Sequence, residues 1–144
     1  MSDANPFTRP DPAAQRSERT YTALMRLADR HAGTPERRAR HVHPSVPSPH
    51  EVVRLVAVMA GGSVPAEPGE PEIDTTDLMA ALTLLPQVRA EQDTTELALM
   101  KIARGRGMTW QDIAFSLGLS TPQAARQRYE RLETRSEQDS PATA

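Results

Sequence analysis

The 144 residues amount to about one domain, and 13 Pro, 2 Phe, 2 Tyr and a single Trp limit the core they can build, which excludes a large enzyme. Hydrophobic residues make up 38% and charged ones 25%, with a mean hydropathy of −0.56, a balance that predicts an ordered centre with loose ends. The absence of Cys excludes disulfides, thiolate zinc sites, iron–sulfur clusters and cysteine nucleophiles, and suits a reducing compartment. The first twenty residues lack an apolar stretch, and no run elsewhere approaches the roughly 20 residues needed to cross a bilayer. The expectation is a cytoplasmic protein without a membrane span.

The formal net charge of −2 conceals a segregation. Residues 1 to 60 carry nine Arg against six Asp or Glu, whereas residues 61 to 93 carry seven acids against Arg89 alone. The sign reverses again over residues 94 to 135, where Lys101, Arg104, Arg106, Arg126, Arg128, Arg131 and Arg135 face Glu96, Asp112, Glu130 and Glu133. Such a basic block suits a polyanion, although Arg-rich helices that are simply solvated show the same excess.

In chain order, residues 1 to 16 are rich in Pro, Asp and Ala without periodicity and read as a flexible tail. Ser17 is the expected cap of a first helix with an apolar stripe of Tyr21, Leu24, Met25 and Ala28, stopped by a left-handed Gly33 before Thr34-Pro35. Four prolines at 35, 44, 47 and 49 predict a linker. Ser48-Pro49-His50-Glu51 then has the form of a capping box, opening a second helix with Val52, Leu55, Val56 and Met59 inward and Gly61-Gly62 as its stop. Residues 17 to 60 thus make two N-terminal helices.

Residues 61 to 73 alternate Pro with acid and predict a mobile acidic loop. From Thr75 or Thr76, Leu78, Met79, Leu82 and Leu85 fit one apolar stripe, with Pro86 kinking, ending or restarting the helix. Asp93 or Thr94 can cap a further helix carrying Leu97, Leu99, Met100, Ile102 and Ala103, with Gly105 and Gly107 as C-terminal caps.

The richest stretch is residues 109 to 135. Thr109 caps a short helix with Asp112 three residues on, and Ile113, Ala114 and Leu117 form its inward face before Gly118. Ser120 or Thr121 caps the next, with Pro122 in its first turn and Ala125, Tyr129 and Leu132 as the inward stripe. Two short helices joined by Gly-Leu-Ser form a helix-turn-helix in which Ala114 is small where the helices cross and Leu119 plugs the angle, although an ordinary helical hairpin has the same outline. Away from the stripe point Gln123, Arg126, Gln127, Glu130 and Arg131, side chains suited to base edges. Thr121, Arg128 and Arg135 lie where phosphates can pass, and Lys101, Arg104 and Arg106 are candidate phosphate clamps.

The segment from about Leu78 to Leu132 resembles small actinobacterial helix-turn-helix DNA-binding proteins. It does so through Ala103, Arg104, Gly107, Trp110, Ile113, Ala114, Leu117, Gly118, Leu119, Gln123, Ala124, Ala125, Arg128, Tyr129, Arg131 and Leu132. Its core is also similar to the promoter-reading helix pair of sigma-factor region four. The resemblance covers a little over a third of the chain and implies transcriptional regulation or nucleoid association. It departs at Pro86, where such proteins continue a helix, and it does not extend to residues 1 to 60.

Other constellations carry less. His41-Val42-His43 with His50 lacks a further ligand at a defined spacing, so solvated histidines are expected and no metal. Arg104-Gly105-Arg106-Gly107 has the look of an RNA-binding element but falls where a helix must end. Neither glycine pair has a phosphate-loop context, and nothing arranges Ser, His and carboxylates for catalysis. Trp110 reads as a core anchor.

These features predict an all-α protein: a short helical bundle with a C-terminal helix-turn-helix DNA-binding domain over residues 74 to 135 and flexible tails, the second at 136 to 144. The helix at 121 to 134 is expected to read the major groove of double-stranded DNA, with neither catalysis nor a cofactor. The alternative is an adaptor that contacts RNA polymerase or another protein, and a second copy of the chain is a further candidate partner.

Overall fold

The computed structural model describes residues 11 to 41 and 47 to 139, and every regular element among them is helical. In chain order these are α1 (Pro12–His31), α2 (Pro35–Arg38), α3 (Pro49–Ala60), α4 (Thr75–Gly105), α5 (Trp110–Leu117) and α6 (Pro122–Asp139). None of them is long and apolar enough to cross a membrane. The chain divides into two compact units, residues 1 to 88 and 89 to 144, so the boundary falls within α4 and not in the acidic segment.

In the first unit α1 begins earlier than its apolar pattern suggests, because Asp11, not Ser17, accepts from the Ala13 N–H and Pro12 follows as the first helical residue. Residues 12 to 16 are therefore helical and not a flexible tail, and residues 1 to 10 of that expected tail lie outside the described residues. The inward stripe is Ala23, Leu27 and His31 with Leu24 at its flank, while Tyr21 is 67% exposed. The expected stripe was rotated because the helix is held by polar side chains on its inner side as much as by apolar ones. Gly33 does not take a left-handed conformation. Its role is steric, since a Cβ there would lie 2.6 Å from the Asp29 carbonyl oxygen. The predicted linker contains a short helix, because Thr34 caps a turn that Pro35 opens.

Ser48 and Glu51 form the expected reciprocal capping box at the start of α3, whose Val52, Leu55 and Val56 are buried. Val52 and Val56 close one cluster with Ala23, Leu27, Ala80, Ala81 and Leu84, and Ile73 packs at its edge. The first turns of α4 contribute Asp77, Ala80, Ala81, Leu84 and Val88 inward. The expected stripe thus faces the other way, with Leu78, Met79 and Leu82 at 43%, 63% and 65% exposure. Asp77 takes the inner side because it answers the partly buried Arg26 and Arg30, and the small Ala80 and Ala81 let the helices approach.

The segment expected to be a mobile acidic loop is fixed by charge. Glu70, its side chain wholly buried, accepts from Arg40 Nη2 at 2.7 Å and from the Glu67 N–H at 2.9 Å, and lies 2.7 Å from His31 Nδ1. A carboxylate only accepts, so Nδ1 carries the proton of that bond. Asp77 is as deeply buried, accepting from Arg26 Nε at 3.0 Å and Arg30 Nη2 at 2.9 Å. Asp74 takes a second Arg26 nitrogen and exchanges capping bonds with Asp77 at the start of α4. The basic N-terminal helices and the acidic segment therefore neutralise one another. Burial pushes the Glu70 carboxyl up, but Arg40, the Glu67 N–H and His31 outweigh it and bring it to about 2.

Helix α4 continues through Pro86 into the second unit and needs no new cap at Asp93 or Thr94; the Thr94 and Thr95 hydroxyls donate back to the Ala90 and Glu91 carbonyls. Leu97 and Met100 are buried with Ile113, Ala114, Ala125 and Leu132, whereas Leu99 and Ile102 are exposed. After Gly105 the Met108 N–H returns to the Ala103 carbonyl at 3.1 Å, which closes the end of α4.

Candidate nucleic-acid interface

The pairing of α5 with α6 is built from local signals. Thr109 and Asp112 make a capping box, and the Thr109 N–H and hydroxyl hold the Asp112 carboxyl below its ordinary range. At the other end Gly118 adopts φ 71°, a left-handed turn that a side chain would strain, and the Leu119 N–H closes on the Ala114 carbonyl at 2.8 Å. Of the two expected caps Thr121 is the one used, its hydroxyl accepting from the Ala124 N–H at 3.1 Å. The helix that follows runs to Asp139, beyond the expected end at 134 and into the expected tail.

Ala125 and Leu132 of α6 are buried, and Tyr129 meets the Trp110 ring edge-on with centroids 5.4 Å apart. Trp110 packs against this cluster, while Leu117, expected inward, is 41% exposed at the helix end. The Tyr129 hydroxyl donates to Glu133, whose carboxylate pushes the phenol up. With that side fixed inward, Gln123, Arg126, Gln127, Glu130, Arg131 and Thr134 are all exposed along the opposite side of α6. Gln127, Glu130, Arg131, Thr134 and Arg135 line a surface hollow there.

The cations divide into two groups. Arg128 binds Glu96 with both Nε and Nη2, the latter at 2.9 Å, and Glu96 raises its pKa further. Arg135 meets Asp93 at 3.0 Å and Lys101 lies 3.7 Å from Glu133. Arg104 sits 4.8 Å over the Trp110 ring and donates to the Met108 carbonyl, so it braces the end of α4. Arg126 and Glu130 approach to 3.4 Å at the i, i+4 spacing while both stay exposed. Arg106 and Arg131 are exposed and form no ion pair among the described residues.

Asp93, expected as a helix cap, and Glu96, counted only toward the charge balance, instead hold α6 against α4. The missed signal was their spacing of three on one helix side. Among the described residues no group of three or more His, Cys, Asp or Glu is placed to hold a metal ion. The side chain of His41 is buried, with Nδ1 3.9 Å from Glu51, His50 is exposed, and His43 lies outside the described residues. Comparison with protein-family models, curated proteins and solved structures gave no match.

Proposed function

We propose that α5 and α6 act as a helix-turn-helix that binds duplex DNA, with α6 read into the major groove, and that the protein regulates transcription or organises the nucleoid. The observation that carries this reading is the division of α6 into a buried Ala125 and Leu132 side and an exposed Gln123, Arg126, Gln127 and Arg131 side. Arg pairs bidentately with guanine O6 and N7, and Gln with adenine N6 and N7, from such a face. Thr121 at the helix start and Arg106 before α5 are the groups best free to meet phosphate. Arg128, Arg135 and Lys101 serve the fold first, since each is engaged by a carboxylate of its own unit.

The test is a selection of DNA sites followed by titrations on the selected and on random duplexes. Arg126→Ala and Gln127→Ala are expected to keep the helical signal and the melting curve, and each to lose about 1–3 kcal/mol of preference for the selected site. Equal affinity of both variants and the parent for that site would sink this assignment. The second reading, a protein-interaction module, draws on Phe115, which α5 holds at 85% exposure away from the core. Loss of partner capture in Phe115→Ala, with no DNA retained by the parent, would decide for it.

A further inference from the structure

A hollow of about 420 Å³ opens in the first unit where the residues after α2 meet one side of α3 and the turn that follows it. Small-molecule sites usually measure roughly 300–1,000 Å³. Its apolar wall is Leu55, Val58 and Val64. The backbone holds that wall in place, because the Ser63 and Val64 N–H groups both return to the Val58 carbonyl, at 2.9 and 3.3 Å, and bring Val64 back beside α3.

The polar part of the lining carries both signs of charge, and most of it is already engaged. The Arg40 guanidinium donates to Glu70 and to the His31 carbonyl. Glu51 accepts from the Ser48 N–H at 3.2 Å in the capping box of α3. Two groups are left. Arg54 is exposed and forms no ion pair among the described residues. The His41 side chain is 3% exposed, and its Nε2 is buried without a hydrogen-bond partner among the described residues. A buried ring nitrogen in the wall of a hollow, left unpaired by the chain, points to a group supplied from outside.

We propose that this hollow binds a small organic carboxylate, its hydrocarbon body against Leu55, Val58 and Val64 and its carboxylate between the Arg54 guanidinium and His41 Nε2. A carboxylate only accepts, so it matches Arg54, which can meet it with two parallel N–H groups, and the His41 tautomer that carries its proton on Nε2. One free cation beside an apolar wall selects a monoanion with a hydrocarbon body. Inorganic phosphate would leave the apolar wall uncovered and most of its own oxygens without donors, and an organic cation would face Arg40 and Arg54. The site lies wholly within the first unit and stands apart from DNA binding.

Titration of the full chain with phenylacetate, followed through the methyl NMR signals of Leu55, Val58 and Val64, tests it. With roughly ten non-hydrogen atoms, phenylacetate is expected to bind with a Kd of about 1 mM. Three probes are expected to bind about tenfold more weakly or worse: 2-phenylethylammonium, of like shape and opposite charge; acetate, which lacks the ring; and inorganic phosphate. Arg54→Gln should weaken phenylacetate about tenfold with helical content and melting unchanged, since that side chain is exposed and unpaired, whereas Arg16→Gln, an equally exposed change on α1, should leave binding as it is. His41→Phe keeps the ring, removes Nε2 and should also weaken binding; if that variant unfolds, Arg54→Gln decides. Methyl signals unmoved by phenylacetate at about 20 mM, equal binding of 2-phenylethylammonium, or an unchanged affinity in Arg54→Gln would each overturn the proposal.

Discussion

At the scale of single residues, the strongest commitments in the first unit are electrostatic. Glu70 is buried with Arg40 and His31 around it, and removing one partner of such a set leaves the others uncompensated. Glu70→Gln is expected to cost about 3–5 kcal/mol, measured by urea unfolding at neutral pH. The pH dependence has a definite sign. A folded value of about 2 against an ordinary 4.5 means that the stabilisation is complete above pH 4.5 and disappears as the pH falls through about 2. Over that window the loss is on the order of 3 kcal/mol, and Glu70→Gln should remove it. An acid limb equally steep in the variant would place the responsible carboxylate elsewhere.

At the scale of elements, α4 is the unusual one. Its first half buries Asp77, Ala80, Ala81, Leu84 and Val88 within the first unit, and its second half buries Leu97 and Met100 within the second. Each half answers the core of its own unit, so no single apolar stripe runs the length of the helix. Pro86 lies within the first set, between Leu84 and Val88, and it has no N–H to offer the Leu82 carbonyl. Its side chain is exposed, so Pro86→Ala should keep the neighbouring contacts and raise stability by about 1–3 kcal/mol in thermal or urea unfolding. A loss of stability instead would mean that the bend a proline imposes is required by the packing on either side of it.

For the whole molecule, net charge is a poor guide to where a polyanion would bind. Of the seven acids of residues 61 to 93, Glu70, Asp74 and Asp77 are answered by Arg26, Arg30 and Arg40, and several of the C-terminal cations are answered by Asp93, Glu96 and Glu133. If DNA is bound as proposed, the logarithm of affinity should fall linearly with the logarithm of salt, and Arg106→Ala and Arg131→Ala should each reduce the slope by about 0.9. Arg128→Ala, by contrast, should lower stability while leaving the slope nearly unchanged, because that charge is already neutralised by Glu96. Equal slope losses in all three would show that Glu96 releases Arg128 on binding.

The sequence by itself determined the all-helical class and most helix ends, because caps are local chemistry. Ser48 with Glu51, Thr109 with Asp112, Thr121 and Gly118 each act within a few residues of themselves. It also determined the inward side of α6, where Ala125 and Leu132 contrast sharply with polar neighbours. The tertiary structure decided the inward sides of α1 and the first half of α4, for there the partners lie more than 40 residues apart. Arg26 and Arg30 meet Asp77 across that distance, and a buried carboxylate outweighs hydropathy in choosing which side turns in. The same physics fixed Glu70 in a segment that composition alone describes as solvated, and tied Arg128 to Glu96. Periodicity records which side chains prefer to leave water; which charges find a partner depends on where the chain returns.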